Sequence, residues 1–255
     1  MKAEATITTQ PAHEVTQHCW ACGACFESAR AGHFCDKCGK VQPPTGEDYF
    51  GFFSLPRKLN LDAVALDKHF YELSRKLHPD VYARAGQQEQ EWSLQQSSRL
   101  NDAYRTLKDP LRRTQYLLKV EGVELEEQSK SATERARATG QEKKQIVPPD
   151  LLEEVFELNM QLDELRMQKK MGEDDPALME EIGRQKLELE EKHEALVEEL
   201  KKYWRDWDSL IEREQQGEQV SEEERKRARD RMVDVLNRRN YIRNLVRDVS
   251  EALES

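Results

Sequence analysis

Apolar side chains recur along most of the chain at the spacing of helices. Through residues 63–120, and again from 151 onward, they return every three or four positions, as on the buried face of an amphipathic helix. No window alternates apolar and polar side chains in the manner of a β-strand. The pattern therefore predicts an all-α chain, with a small cysteine-rich module near the N-terminus as the exception.

Breaks in this pattern divide the chain into five regions. Proline and glycine clusters mark turns, and the polar stretch 126–146 has almost no large apolar side chain and no period. The predicted regions are a flexible tail at 1–18, a cysteine module at 19–46, a compact helical domain at 47–125, a linker at 126–147 and a C-terminal helical domain at 148–255.

The sequence pattern of the compact domain predicts two antiparallel helices joined by a loop. Asp62 is the expected N-cap of the first helix. That helix carries an apolar stripe of Leu66, Phe70, Leu73 and Leu77. Because proline disfavours helical geometry in the residue before it, the helix should end near Leu77 and leave His78-Pro79-Asp80 in the loop.

Further helices are predicted on either side of this loop. A short aromatic helix at 49–55 should precede the hairpin, and a helix that starts at Pro110 should follow it. The second hairpin helix is expected at about 89–107. We expect it to pack on the first helix through Leu94, Leu100, Ala103, Tyr104 and Leu107.

Three long helices are predicted for residues 148–255, and such helices assemble into a three-helix bundle or a coiled-coil hairpin. The first has a core stripe of Leu158, Leu162 and Leu165 and a second apolar face with Leu152, Phe156 and Met160. The other two carry apolar stripes at near-heptad spacing: Ile182, Leu189, Leu196, Leu200, Tyr203, Trp207 and Leu210, then Met232, Val235, Leu236, Ile242, Leu245, Val249 and Leu253.

All five cysteines lie within residues 19–38, where two Cys-x-x-Cys-Gly motifs contain Cys19, Cys22, Cys35 and Cys38. Thiolates at this spacing bind one tetrahedral metal ion, and the glycine permits the positive φ of the turn. Four thiolates close the coordination shell, so we expect a structural zinc. Iron is not excluded, because sequence does not separate the two metals. Cys25 is then spare, and His18 and His33 are alternative ligands.

Composition and charge limit the classes of partner that we expect this chain to bind. Charged residues are 35% of the 255 residues, and the net charge of −10 falls within residues 151–255. An acidic surface repels phosphate backbones, so we expect no nucleic-acid partner. We expect no membrane partner, because no apolar run reaches the roughly 18 residues of a membrane span. The N-terminus lacks the apolar core of a secretory signal, which predicts a cytoplasmic location, or the mitochondrial matrix if a transit peptide has been removed.

The motifs of the compact domain resemble those of a known family. His78-Pro79-Asp80 follows a basic amphipathic helix and is similar to the loop of a J-domain, the hairpin by which DnaJ-like co-chaperones stimulate a DnaK-type ATPase. The pattern YFGFFSLP…LD…LHPD…LNDAYRTLKDPLRRTQYLL resembles more closely the HscB family, the J-type co-chaperones of iron–sulfur cluster assembly. The resemblance spans about 19–255 and is strongest at 49–125.

This resemblance implies that His78, Pro79 and Asp80 contact a DnaK/HscA-type chaperone and stimulate its ATP hydrolysis. An ionised Asp80 is suited to the paired N–H groups of an arginine. On the preceding helix, Lys68, Arg75 and Lys76 would steer the encounter with an acidic chaperone surface. The chain would then be a co-chaperone and not an enzyme, and its sequence contains no Ser/His/Asp set and no phosphate-binding glycine loop.

The resemblance also implies a client site on the first C-terminal helix, which binds an IscU-type iron–sulfur scaffold and promotes cluster transfer. The matching segment is LLEEVFELNMQLDEL, with Leu152, Phe156 and Glu157 as the expected contacts. Met160 stands where the family pattern has an acidic residue, and this departure makes the expected patch more apolar. The N-terminal pair of Cys-x-x-Cys motifs also fits this resemblance, since some members of the family carry such a pair.

Two other functions remain open at this point. The chain could be a J-protein for a different client, which scaffold binding to the acidic helices would distinguish. It could also be a metal or thiol redox protein centred on the five cysteines, which visible absorption or a reactive Cys25 would indicate.

Overall fold

The computed structural model describes residues 16–27, 32–123, 148–172 and 175–254, which belong to two compact units. Unit 1 comprises Met1–Leu55 and Asp62–Lys108, and unit 2 comprises Pro56–Leu61 and Asp109–Ser255. The predicted linker at 126–147 and most of the predicted tail at 1–18 lie outside the described residues. The predicted domain boundaries therefore stay a prediction.

Unit 1 contains a small two-stranded sheet and a helical hairpin. Strands β1 (Thr16–His18) and β2 (Cys25–Glu27) pair antiparallel, with His18 opposite Cys25. Three helices follow along the chain: α1 (Tyr49–Phe52), α2 (Ala63–Leu77) and α3 (Gln87–Lys108). A short 3-10 helix at Pro79–Tyr82 lies between α2 and α3, so the predicted loop contains one turn of regular structure.

The described part of unit 2 is built from helices alone: α4 (Pro110–Val120), α5 (Leu152–Met171), α6 (Pro176–Gln215) and α7 (Glu222–Glu254). A 3-10 turn at Pro149–Leu151 leads into α5. Helices α6 and α7 pack along much of their length, and α5 packs on both. The all-α prediction is confirmed, since the strands of the described residues are the three-residue β1 and β2, which lie just before and within the cysteine module. None of the described helices is long and apolar enough to cross a membrane.

Aspartate caps explain where the helices around the loop begin. The Asp62 carboxylate accepts hydrogen bonds from the N–H groups of Val64 and Ala65 at 2.9 and 3.1 Å. Asp109 caps α4 in the same way. At the far end of α2, His78 takes an extended ψ of 131° because Pro79 follows it. The predicted helix starts at Asp62 and Pro110, and the predicted end at Leu77, are confirmed.

Helix α1 is shorter than predicted. It ends at Phe52 instead of residue 55, because Phe53 leaves helical geometry and Ser54 adopts a φ of 53°. The aromatic side chains of this segment are nevertheless buried, so its role as an apolar anchor of unit 1 is unchanged.

The prediction that Leu94 packs against α2 is wrong. Its side chain is 63% exposed, whereas the neighbouring Ser93 and Gln96 are buried. These two polar side chains donate hydrogen bonds to the backbone carbonyls of Leu77 and Gln42, at 2.7 Å each, and so occupy the inward face of α3. The other predicted residues of α3 do face inward: Leu100, Ala103 and Leu107 are buried, and Tyr104 stacks on Phe70.

The core of unit 2 follows the predicted stripes closely. In α5, Leu158, Leu162 and Leu165 are buried, as predicted. In α6 Trp207 is buried as predicted, but Trp204 is buried in place of Tyr203, which is only half-buried. In α7 Ala252 is buried in place of Leu253.

One buried carboxylate of unit 2 fixes the segment Pro56–Leu61 to α6. Asp208 accepts hydrogen bonds from the backbone N–H groups of Leu59 and Asn60 at 2.6 and 2.9 Å. It also accepts one from the side-chain amide of Asn60 at 2.8 Å. The neighbouring Trp207 donates its indole N–H to the carbonyl of Arg57 at 2.8 Å. This clamp has no counterpart in the sequence prediction.

Candidate partner-binding surfaces and metal centre

Two tight turns bring the predicted metal ligands together. The first lies between β1 and β2 and contains Cys19 and Cys22. The second contains Cys35 and Cys38 and is closed by an isolated bridge between Phe34 and Val41. In both turns the glycine after the second cysteine has a positive φ, 67° at Gly23 and 70° at Gly39. This is the backbone geometry predicted from the two motifs.

The four cysteines form one cluster. Their sulfur atoms all lie within 4.8 Å of one another, with Cys19 and Cys38 at 3.6 Å and Cys22 and Cys35 at 3.7 Å. Four thiolates at these distances match a closed tetrahedral shell. The residues therefore fit a structural metal ion that they could hold, and they leave no ligand position for a substrate.

The electrostatics of the cluster favour a bound cation. Burial acts to raise the pKa of the Cys19 thiol, but the N–H groups of Cys22 and Ala21 outweigh it and lower that pKa to about 6. For Cys38 the N–H of Lys40 lowers the pKa, but burial and the neighbouring sulfurs outweigh it and raise the pKa to about 12. Four thiolates this close to one another repel when ionised, and a bound cation would offset that repulsion.

The other three candidate ligands lie outside the cluster. Cys25 is exposed, and its sulfur lies 3.2 Å from Nδ1 of His18. His33 is engaged elsewhere, with Nδ1 at 2.6 Å from Oε1 of Gln96 and Nε2 at 2.9 Å from the carbonyl of Phe52. The structure thus groups the four predicted ligands and leaves Cys25 spare.

The predicted chaperone-contact loop presents polar groups to solvent. The Asp80 side chain is 90% exposed and the His78 side chain is 56% exposed. His78 caps the 3-10 turn, because its Nδ1 accepts the N–H of Asp80 at 3.3 Å, while Pro79 occupies the first position of that turn. The Asp80 carboxylate is therefore held on an ordered turn and exposed to solvent, with Oδ2 at 3.5 Å from Nδ1 of His78.

Two serines fix the backbone just before this loop. Ser93 and Ser97 of α3 donate hydrogen bonds from their hydroxyl groups to the carbonyl of Leu77, at 2.7 and 2.6 Å. Both bonds satisfy a carbonyl at the C-terminal end of α2, where intrahelical donors are missing. The sequence prediction did not include these serines, because their partners lie 16 and 20 residues away.

The three predicted basic residues all lie on the exposed surface of α2. Lys68, Arg75 and Lys76 are exposed, and none of them has an ion-pair partner among the described residues. Arg75 and Lys76 occupy the last turn of α2, next to the loop, where positive charge also suits the helix dipole. The structure therefore leaves their charges available to a partner.

The predicted scaffold contacts lie together on the solvent face of α5. Leu152, Phe156 and Met160 are 53%, 69% and 60% exposed, and they follow one another at four-residue spacing. Glu157 beside them is also exposed. Since Leu158, Leu162 and Leu165 bury the opposite face, α5 is apolar on two sides, and the described residues cover only one of them.

Comparison with known proteins identifies similar chains. No protein-family model matches the sequence. It is 36% identical over 115 residues to the mouse (Mus musculus) iron-sulfur cluster co-chaperone protein HscB, an alignment that covers 44% of this chain and 49% of the mouse protein. It is 32% identical over 157 residues to the human (Homo sapiens) protein of that name, covering 61% of each. The alignments thus span less than two thirds of either relative.

A solved structure has the same fold. The crystal structure of the human co-chaperone protein HscB aligns over 92% of this chain and 98% of that chain, with a TM-score of 0.56 and 24% identity. At this identity the likeness concerns the fold alone.

Proposed function

Because the chain belongs to the HscB family, we propose that it is a J-type co-chaperone of iron–sulfur cluster assembly and not an enzyme. It would bind an IscU-type scaffold and bring it to a DnaK/HscA-type chaperone, whose ATP hydrolysis it would stimulate. Nucleic acid and membranes have no role in this proposal. The proposed location is the cytoplasm or the mitochondrial matrix.

The loop His78-Pro79-Asp80 would deliver the signal to the chaperone. Its exposed Asp80 carboxylate can accept paired hydrogen bonds from an arginine of the chaperone, and charge-assisted bonds of this kind are among the strongest. The unpaired cations of α2, Lys68, Arg75 and Lys76, would attract an acidic surface and orient the encounter. Stimulation then requires that the loop bind the hydrolysis-competent state of the chaperone better than its other state.

The exposed face of α5 would hold the client. Leu152, Phe156 and Met160 offer a contiguous apolar surface of the kind that anchors a protein partner, and Glu157 adds a charge that selects its orientation. The loop and this patch lie in separate units, so the two partners are expected to bind independently.

The cysteine cluster would hold a structural zinc ion through Cys19, Cys22, Cys35 and Cys38. The four sulfurs match the ligand set and the spacing that zinc prefers. A bound zinc supplies folding energy to a module that is too small to build a core of its own.

The observation that carries the proposal is the ordered loop with its open Asp80 carboxylate. The test is stimulation of a purified DnaK-type ATPase by the full chain. We expect Asp80→Asn to raise the half-maximal concentration by about tenfold or more, because it removes a charge-assisted bond. Asp102→Asn, at an exposed aspartate of α3, is the matched control and should stimulate normally. Equal stimulation by the two variants would refute the proposed role of the loop.

The client half of the proposal is tested by calorimetry with a purified IscU-type scaffold. Leu152→Ala combined with Phe156→Ala should weaken binding by roughly a hundredfold, since two apolar anchors are lost. Met171→Ala, at an exposed apolar residue at the far end of α5, is the control and should bind as the wild type does. Unchanged affinity in the double variant would place the client elsewhere.

A further inference from the structure

Helix α3 is held by different kinds of contact in its two halves. The buried residues of its C-terminal half are the apolar Leu100, Ala103 and Leu107. Those of its N-terminal half are Glu89, Ser93 and Gln96, and all three are polar. The N-terminal half therefore has no fully buried apolar side chain, although Trp92 is half-buried, and its position depends largely on partners elsewhere in unit 1.

Most of those partners belong to the cysteine module. Lys40 donates to Glu89 at 2.9 Å, and Gln96 donates from Nε2 to the carbonyl of Gln42 at 2.7 Å. This second bond fixes the orientation of the Gln96 amide, so its oxygen faces Nδ1 of His33 at 2.6 Å. Trp20 of the first turn meets Trp92 edge-on, with ring centroids 5.6 Å apart.

Gln42 connects this contact to the metal cluster. Its side-chain amide donates to the carbonyl of Lys40 at 2.8 Å and lies 3.5 Å from the sulfur of Cys19. Gln42 is 3% exposed, so the connection is shielded from water. Because metal binding is expected to supply the folding energy of the module, loss of the metal would withdraw these partners from α3.

The adjacent face of the same half-helix holds the loop. Residues 89, 92 and 96 lie on one face of α3, and residues 93 and 97 lie on the next face round. The second face carries the two serines that bind the carbonyl of Leu77, directly before His78. The module and the loop are therefore attached to adjacent faces of one stretch of α3, whose fully buried side chains are all polar.

We propose that the metal-loaded cysteine module positions the His78-Pro79-Asp80 loop through α3, with Gln96 as the positioning residue. The consequence for chaperone stimulation rests on the proposed function, but the mechanical coupling does not. Removing the metal, or cutting the Gln96 contact, should loosen the N-terminal half of α3. The loop would then lose its fixed geometry, although no residue of the loop has changed.

Hydrogen exchange on the full chain, loaded with Zn²⁺, tests this coupling. The amides of Val81 and Ala83 report on the loop, since they donate to the carbonyls of His78 and Asp80. We expect Gln96→Ala to speed their exchange by about fivefold while zinc stays bound, because local opening becomes easier. Chelation of zinc from the wild type should speed exchange of these loop amides by at least the same factor. In the Gln96→Ala variant, chelation should cause little further increase. Amides of α6 serve as the internal reference and should not change.

Gln95→Ala is the matched control, because Gln95 is the exposed neighbour of Gln96 on the same helix. It should leave exchange in the loop unchanged. If Gln96→Ala leaves Val81 and Ala83 as slow as in Gln95→Ala, or if chelation melts the module without changing the loop, the coupling is refuted.

The ATPase assay separates this inference from the proposed function. Gln96→Ala should raise the half-maximal concentration for stimulation with little change in the maximal rate, because a misplaced loop binds less often but remains intact. If the wild type stimulates no DnaK-type ATPase, the proposed function fails, while the exchange experiment still decides the coupling.

Discussion

Units 1 and 2 of this chain both have an apolar core, but the part of unit 1 around the candidate loop is held by contacts of a different kind. In unit 2, long helices bury continuous apolar stripes, and Ile182, Leu200 and Trp207 have no exposed surface at all. In unit 1, the half of α3 nearest the candidate loop buries only polar side chains, and the small module beside it gathers four cysteines. Apolar burial is tolerant of small shifts, whereas hydrogen bonds and metal coordination fix positions closely. The region that must present a polar loop in one geometry is the one built from directional contacts.

Removal of the metal should have the largest effect, because it should disrupt unit 1 and leave unit 2 intact. Structural zinc contributes on the order of 10 kcal/mol to small metal-dependent modules, so an excess of chelator should unfold the module and leave unit 2 folded. Circular dichroism should keep most of its helical signal, while the fluorescence of Trp20 and Trp92 changes. Simultaneous loss of the helices of unit 2 would show that the two units are not stabilised separately.

Matched cysteine variants sharpen the same test. Cys22→Ser removes a proposed ligand and should abolish binding of one zinc per chain. Cys25→Ser changes the spare cysteine, which lies outside the cluster, and should bind zinc normally. Metal loss in Cys25→Ser would contradict the proposed ligand set.

The sequence predicted the parts of the molecule that rest on periodic apolar burial or on local capping. Asp62 and Asp109 cap helices through their own neighbours, so their effect is visible in a short window. Leu94 was misplaced because an apolar period assumes that polar residues face water, while Ser93 and Gln96 face inward to satisfy backbone carbonyls. The predicted end of α2 leaves the Leu77 carbonyl without an intrahelical donor, but no local signal shows that Ser93 supplies one.

The candidate sites divide in the same way. The four cysteines could be grouped from their motifs alone, because both pairs of ligands lie within single turns. The exposure of Phe156 could not be read from the sequence, since α5 has two apolar faces and nothing local shows which one is covered. Asp208 was missed because its partners lie nearly 150 residues away along the chain.

Asp208 allows directional contacts and apolar packing to be compared within unit 2, because its hydrogen bonds lie in a unit held mainly by apolar burial. Asp208→Ala leaves the buried N–H of Leu59 without an acceptor and should lower the free energy of unfolding by about 3 kcal/mol. Asp206→Ala, at an exposed position of the same helix, is the control and should change it by less than about 0.5 kcal/mol. Urea denaturation measures both. Equal effects would mean that the Asp208 hydrogen bonds add nothing to the packing of unit 2.

The smallest expected change in stability comes from a surface contact of unit 2, at the start of α7. Glu224 binds Arg213 and the N–H and hydroxyl of Ser221, and these contacts, led by Arg213, lower the pKa of its carboxyl to about 2. A lowered pKa stabilises the folded chain above the unfolded value of about 4.3, and that contribution is lost as the pH falls toward 2. Glu224→Gln should therefore melt slightly below the wild type at neutral pH, and the gap should close on acidification. Glu223→Gln, at an exposed neighbour, should show no such gap. A gap that persists at low pH would assign the effect to packing instead of charge.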